Sequence, residues 1–309
     1  MNLISYLKRI HCEHVKEPTL ENLKILHQNH VKHVTFENLD MHIGKKVEMS
    51  LEKAFDKVIN RNRGGFCCEL NYLFSWLLQQ LGYEITLHSC RVYLGTSNSY
   101  NSWFSHLTTL IKIRDKMYLA DVGFSYPYKC PLEFVVDKIQ KDMIGFMKFR
   151  IDEANKCFTL LRCNTALNEE NLKDETFWTP CYQLNPVPRK IEEFLNMLEW
   201  VQSENNVRFY NRTICIRQID NGIIMLLGYK FSTLLFENSI LIKRNDVELT
   251  REQVYKFGVA QQNISSNDED RNVKEESSDQ GTGQEADLDN RNKGNMQYNV
   301  TASRSGEFV

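Results

Sequence analysis

Two cysteines stand side by side in the stretch Asn60 to Asn71, NRNRGGFCCELN. A thiol does chemistry as its thiolate. Cys67 and Cys68 fall where a loop turns into a helix expected to start near Glu69. The free N–H groups of a helix's first turn, and its dipole, stabilise negative charge there. Gly64 and Gly65 are expected to let the chain turn sharply and let a ligand come close. A thiolate so placed is a nucleophile. It needs a base, and the base needs an orienting acid. His106 in NSWFSHLTTL and Asp121 in YLADVGF lie on consecutive stretches that read as strands. As antiparallel neighbours they would set Asp121 on one ring nitrogen of His106 and leave the other for the thiol. Spacing alone does not select this reading, because the chain holds 8 histidines and 40 acidic residues. Free cysteines are mostly small buried packing residues, and either of the two could be one.

The elements that must position these groups follow from hydrophobic periodicity. Residues 1–83 read as helices. Leu3, Ile4, Leu7 and Ile10 give a short amphipathic N-terminal helix, and LENLKILHQNHVKHV repeats apolar positions every three or four residues. SLEKAFDKVINRN starts from a good N-cap, Ser50, with Lys53 where a capping box would want Glu or Gln. NYLFSWLLQQLGY is apolar nearly all round and stops at Gly82. His27, His30 and His33 are expected on a polar helix face rather than around a metal, since no carboxylate set accompanies them.

From 84 to 190 the period shortens. EITLHSCRVYL, HLTTLIKI, KMYLADVGF, FMKFRID and CFTLLRC read as strands of an antiparallel sheet or barrel. Over 191–259 the pattern mixes. RKIEEFLNMLEWVQS is a helix with Ile191, Phe194, Leu195, Leu198 and Val201 on one side. RTICIRQI, GIIMLLGYKFSTLLF and ILIKR read as strands, and LTREQVYKFGV as a last helix capped by Thr250. Residues 260–309 are polar, acidic-leaning and nearly free of large apolar residues, so disorder is expected.

Composition narrows the class. The 309 residues favour more than one domain, and 42% apolar with 25% charged residues is a globular mix. A net charge of -2 gives no electrostatic case for nucleic acid or an anionic membrane. No apolar run approaches the roughly 20 residues that span a bilayer, and the N-terminus lacks the block and cleavage site of a signal peptide. Nine cysteines, odd in number, irregular in spacing and without a C-x-x-C pair, speak against a disulfide framework or a structural zinc site. A reducing, cytoplasmic compartment is expected. The N-x-S/T matches at Asn211, Asn263 and Asn299 then occur by chance.

RGGFCCELN resembles the RGGxCxE motif of the arylamine N-acetyltransferases. VTFENLDMHIG at 34–44 is similar to that family's FENL segment, and SHLTTL and ADVGF to its histidine and aspartate segments. The intervals, 39 residues from Cys67 to His106 and 15 on to Asp121, fit the family, and the likeness runs over residues 1 to about 258. It implies an α+β fold with a thiol-protease- or transglutaminase-like Cys-His-Asp core. The parts would be a helical bundle (1–83) carrying the nucleophile, an antiparallel β-barrel (84–190) carrying the base and acid, and an α/β lid (191–259) before the tail.

The resemblance names Cys67 as nucleophile, His106 as base and Asp121 as its partner, with Cys68 a packing residue. It implies acetyl-CoA as co-substrate, no metal, an arylamine or hydrazine acceptor, a ping-pong reaction and a monomer. It puts Phe124 and Ser105 against the acceptor, and Ser102, Trp103 and Asn206 against coenzyme A. It pairs Arg63 with Glu37 inside the protein, bracing the nucleophile's loop. The tail does not resemble the ordered C-terminal segment that closes the cleft in vertebrate members, so coenzyme A contacts from that segment do not carry over. Two rivals remain. One is a transglutaminase-like thiol acyltransferase or hydrolase, against which the FENL segment speaks. The other is a non-catalytic binding protein, against which an intact triad speaks.

Overall fold

A computed structural model of the protein describes residues 1–164, 169–203, 209 and 212–254. Asn206 and the tail lie outside the described residues. The N-terminal part is helical: α1 (Leu3–Arg9), α2 (Leu20–His33), α3 (Leu39–His42), α4 (Leu51–Phe55) and α5 (Cys67–Gln80), with the short strand β1 (Phe36–Glu37) between α2 and α3. Thr19 caps α2 and Ser50 caps α4, each hydroxyl accepting the N–H of the third residue on. Lys53 pairs with Glu48 instead of closing a capping box. A π-helical turn, Asp56–Asn60, continues α4. In α1, Tyr6, Leu7 and Ile10 are buried but Ile4 faces outward, contrary to the expected stripe. With only seven residues the helix covers one narrow seam.

A larger sheet follows: β2 (Glu84–Leu94), β3 (Ser99–Tyr100), β4 (His106–Ile113), β5 (Lys116–Ala120), β6 (Leu132–Glu133), β7 (Gln140–Asp142), β8 (Gly145–Asp152), β9 (Cys157–Cys163) and β10 (Thr179–Arg189). The order is β6-β5-β4-β2-β10-β9-β8-β7, antiparallel throughout, with β3 on β2. A bridge from Val136, just past β6, to Phe149 on β8 brings the two ends together, so the sheet nearly closes into a barrel. The strand β10 was not expected from the sequence. Pro180, Pro186 and Pro188 break its pattern, and the structure accommodates them where its registers shift, between Pro180 and Tyr182 and between Leu184 and Pro188.

After the short helix α6 (Glu169–Lys173) and β10, a 3-10 turn (Ile191–Phe194) leads into α7 (Leu195–Val201). Phe194, Leu198 and Val201 are buried, while Leu195 is exposed. The tighter 3-10 turn rotates Leu195 off the stripe that a uniform helix would give it. A second sheet, β1-β11-β12-β13-β14, uses β11 (Ile214–Ile219), β12 (Gly222–Leu227), β13 (Lys230–Glu237) and β14 (Ile240–Glu248). The stretch read as one strand, GIIMLLGYKFSTLLF, is a hairpin that turns at Gly228. Thr250 caps a helical turn over 251–254. Among the described residues no helix is long and apolar enough to cross a membrane.

Candidate active site

Helix α5 begins two residues earlier than the sequence suggested and takes both cysteines into its first turn. Phe66, at the N-cap, has no side-chain oxygen. Its N–H is satisfied by Glu69, whose Oε2 accepts it at 3.1 Å. The loop before it is stitched to β1: the Gly65 N–H donates to the Thr35 carbonyl at 3.2 Å, and the Glu37 N–H to the Gly65 carbonyl at 2.8 Å. Gly64 lies against the same strand, and a Cβ on it would stand 2.0 Å from the Thr35 oxygen. The close approach expected of a ligand is therefore made by the chain's own backbone.

His106 opens β4 and Asp121 follows β5, so the hairpin sets them side by side with Nε2 of His106 2.6 Å from Oδ2 of Asp121. The Cys67 thiol and the same imidazole line one cleft and interact electrostatically, and Nδ1 is the ring nitrogen that Asp121 leaves free. All three groups are buried. Asp121 is held from several sides. Asn71 Nδ2 donates to its Oδ1 at 2.8 Å and the Gly123 N–H at 3.1 Å, and the Tyr182 hydroxyl of β10 adds to what holds its charge. Asn71, one helical turn beyond Cys67, further donates to the Leu107 carbonyl at 2.6 Å and accepts the Val122 N–H at 2.9 Å. One side chain thus ties the cysteine's helix, the histidine's strand and the aspartate's loop together.

The electrostatics favour an ion pair. Burial opposes charge on His106, but the charge and hydrogen bond of Asp121, with the Cys67 sulfur, raise its pKa to about 10. A hydrogen bond from the Cys68 thiol and the contact with His106 bring Cys67 down to about 5 against the opposing effect of burial. Burial would also raise Asp121, yet His106 and the donors from Asn71 and Tyr182 hold it below the usual carboxylate range. At neutral pH the site is thiolate, imidazolium and carboxylate.

A cleft of about 160 Å³ opens over Cys67 and His106. Its apolar walls come from Phe36, Val92, Leu94, Phe124, Trp200, Val201 and Phe209. Polar lining is confined to Asn101, Ser105 and Ser125 besides the Cys–His pair, and no Asp, Glu, Lys or Arg among the described residues lines it. Phe124 lines the cleft, its ring 5.6 Å from that of His106. Ser105 lines the cleft, but its hydroxyl also bonds the backbone of β2, at the Val92 N–H and the Cys90 carbonyl. Ser102 and Trp103 lie on the turn before it and not among the lining residues; Trp103 stacks under the Arg91 guanidinium at 4.7 Å. Trp200 and Val201 were missed, because nothing in an amphipathic helix pattern tells that its end caps a cleft.

Arg63 and Glu37 meet inside the protein, with Arg63 Nη2 2.8 Å from Glu37 Oε1, but as part of a larger buried cluster. Asp40 accepts from Arg63 at 3.0 Å and from Lys57 at 2.9 Å, and Lys57 reaches Glu69 at 3.0 Å. Glu69 is the residue that holds the Phe66 N–H, so the cluster abuts the first turn of α5. Asn38, between the two halves, donates to the carbonyls of Phe209 and Arg212, both at 2.9 Å, and fixes the start of the second sheet.

The expected polar helix face is wrong for two of its three histidines. His27 and His30 are completely buried. His27 bonds the Lys129 carbonyl at 3.0 Å and accepts the Asp121 N–H at 3.3 Å, and His30 bonds the Tyr6 hydroxyl at 3.0 Å. His27 is bonded at both ring nitrogens, whereas His30 is bonded at Nδ1 alone and its buried Nε2 has no partner; both stay neutral, their pKa values lowered chiefly by burial. All nine cysteines are free thiols. Among the described residues no cluster of three or more His, Cys, Asp or Glu is placed to hold a metal.

Residues 19–267 match the model of an N-acetyltransferase family. Among characterised proteins, arylamine N-acetyltransferase 2 of Macaca mulatta is 30% identical over 278 residues, covering 84% of this chain and 95% of the relative. A pineal gland arylamine N-acetyltransferase isozyme of Gallus gallus is 31% identical, covering 76% and 84%. Among solved structures, the arylamine N-acetyltransferase of Salmonella typhimurium superposes with a TM-score of 0.73 at 22% identity, over 87% of this chain and 93% of that one. The Mycobacterium marinum enzyme in complex with CoA gives 0.72 at 21% identity, over 84% and 91%.

Proposed function

The chain belongs to the arylamine N-acetyltransferase family, and from that premise we propose that it moves an acetyl group from acetyl-CoA to the amino group of an arylamine or hydrazine, by a ping-pong reaction through S-acetyl-Cys67. The observation that carries the reading is the Cys67 thiol sharing an apolar cleft with an imidazole that is itself anchored on a buried carboxylate. A structural relative with CoA bound supports the donor.

In the first half, the Cys67 thiolate attacks the thioester carbonyl. The tetrahedral oxyanion is met by N–H groups at the start of α5, among them that of Cys68. Collapse breaks the carbon–sulfur bond to coenzyme A, and the departing thiolate takes the proton from His106. The acetyl group stays on Cys67. A thioester exchanges for a thioester, so the step is close to balanced. In the second half, the amine nitrogen attacks the acetyl carbonyl and His106 accepts its proton. The bond to Cys67 breaks, the amide leaves, and the thiolate–imidazolium pair is restored. Asp121 holds the ring and stabilises its charge through both halves.

The cleft suits this acceptor class. An amine must arrive neutral to attack, and among the described residues no carboxylate lines the walls to retain an ammonium. Anilines and aryl hydrazines are weak bases and enter uncharged at pH 7. The volume of about 160 Å³ is close to that of apolar cavities, roughly 150 Å³, that take up benzene. Phe36, Phe124, Trp200 and Phe209 offer ring faces and edges to an aromatic guest. Nine free thiols accord with work in a reducing, cytoplasmic setting.

Intact-protein mass spectrometry after mixing with acetyl-CoA, without amine, tests the reading. The expected result is a gain of one acetyl group, absent from Cys67→Ala and discharged by an aniline. No gain in a folded protein overturns the donor. A gain that persists in Cys67→Ala overturns the nucleophile.

A further inference from the structure

The side chain of Cys68 has no part in the reaction as described, yet its sulfur lies 4.0 Å from that of Cys67, within hydrogen-bond range for two sulfur atoms. Both side chains are buried and both belong to the first turn of α5. One proton can bridge the two sulfurs, and the surrounding charges decide which sulfur owns it. Cys67 faces the imidazole of His106, which removes its proton. Cys68 instead faces the Cys67 sulfur and the Glu69 carboxylate, both negative, which keep its proton in place. The direction of the two acidities agrees: Cys67 is lowered and Cys68 is raised well above an ordinary thiol.

We propose that Cys68 is a positioning residue of the acyl-transfer site, donating its S–H to the Cys67 sulfur and so favouring the thiolate over the thiol. The assignment rests on Cys67 being the nucleophile. Cys68 cannot replace it, because its side chain does not line the cleft. It borders a separate small hollow formed with Val47, Met49, Ala54, Tyr72 and Leu198. Nor is the pair set up for a disulfide. Neighbouring residues hold their Cα atoms about 3.8 Å apart, below the roughly 4.4–6.8 Å that disulfides span. The 4.0 Å between the sulfurs is about twice an S–S bond. What the geometry allows is a hydrogen bond. Thiols are weak donors, but a hydrogen bond to a charged acceptor is stronger than one to a neutral acceptor.

The test reads the sulfur directly and needs no acyl-CoA. Carboxamidomethylation of Cys67 by iodoacetamide is followed by intact mass from pH 4 to pH 9, with Cys67→Ala giving the background. Cys68→Val retains bulk without the donor. Cys68→Ser retains a donor. The midpoint of the rate profile is expected to rise by about one pH unit in Cys68→Val and to stay at the wild-type position in Cys68→Ser. Should Cys68→Val not fold, Cys68→Ala takes its place with the same expectation. An unchanged midpoint without the donor overturns the proposal, and so does a serine variant that shifts as far as the valine one, which would make Cys68 a matter of packing. If acetyl-CoA proves not to acylate the protein, the proposed function fails while this profile still decides the role of Cys68.

Discussion

Gly123 lies against Cys67 so closely that a Cβ on it would stand 2.8 Å from the Cys67 Cα and 2.9 Å from its carbonyl oxygen. The loop that carries Asp121 therefore seats directly on the first turn of α5, and the glycine sets the distance between acid and nucleophile. Gly123→Ala has no room on either side, since the other close neighbour is the Asn71 amide at 2.8 Å. We expect the loop to lift by several tenths of an ångström, with kcat/KM falling about 100-fold, as misplacement of reacting groups costs. Overpacking should cost about 1–3 kcal/mol of stability. Steady-state kinetics and urea unfolding of the same variant check both. Wild-type kcat/KM would show that the loop moves independently of α5.

Asn71 makes one bond to β4 and two to the loop that carries Asp121, and all of them are buried. Asn71→Ala leaves the Val122 N–H and the Leu107 carbonyl without that partner and removes one donor from Asp121. Each orphaned buried group costs about 1–3 kcal/mol, so a marked loss of thermal stability is expected together with a drop of at least about tenfold in kcat/KM. Asn71→Asp should be worse for activity, because a second carboxylate beside Asp121 forces one of the pair to hold a proton.

The charge state of the site gives a pH profile. Cys67 is lowered to about 5 and His106 raised to about 10. Acetylation of the free enzyme should rise with pH through the first, hold a plateau, and fall through the second as the imidazolium is lost. Stability follows from the same shifts. His106 has its folded pKa raised, so its contribution is complete below pH 6.5 and is lost towards pH 10. Cys67 has its folded pKa depressed, so its contribution is complete above pH 9 and is lost towards pH 5. Between pH 6.5 and 9 the unfolded chain and the folded site hold one proton each, and the two slopes cancel. The pair therefore contributes a flat top that falls below pH 6.5 and again above pH 9. The His106→Ala, Cys67→Ala double variant should lose that shape when unfolding is followed across pH, and a wild-type slope through the plateau would contradict it.

Much of this was readable from the chain. Strand runs rich in β-branched and apolar residues, such as EITLHSCRVYL and HLTTLIKI, appear at the expected residues as β2 and β4. The FENL, RGG and ADVGF segments meet at one site. What escaped had physical causes. The start of α5 carries no Ser, Thr, Asp or Asn at its N-cap, because Glu69 reaches back to do that work. The strand β10, which supplies Tyr182, was hidden by its prolines. Buried His27 and His30 look polar to any pattern that counts residue types, and only their tertiary partners make burial affordable. The lining residues Trp200 and Phe209 depend on how α7 and the second sheet dock, which no local periodicity encodes.

Lys57 is the clearest case of a residue that sequence could not assign, and it supports the sharpest stability prediction. It sits in the π-helical turn, where the extra residue per turn rotates its side chain inward. There it is 3% exposed, with its ammonium 2.9 Å from Asp40, 3.0 Å from Glu69 and 3.9 Å from Glu37. Burial by itself would favour the neutral amine, but the three carboxylates outweigh it and keep Lys57 charged. Lys57→Met retains most of the volume and removes the charge. Arg63 then remains as the cation bonded to Glu37 and Asp40, while Glu69 loses its cation. A buried carboxylate stripped of its partner costs about 3–5 kcal/mol. Glu69 can limit that cost by taking up a proton, and its pKa already stands above the ordinary value, chiefly through burial. A protonated Glu69 keeps an oxygen for the Phe66 N–H, so the first turn of α5 should survive and the loss should appear mainly as stability. The variant is therefore expected to be less stable at pH 8 than at pH 5.5 relative to wild type, with acetylation of Cys67 retained at temperatures where it is folded. Guanidinium unfolding at the two pH values measures this. An equal loss at both would show that Glu69 does not take up the proton.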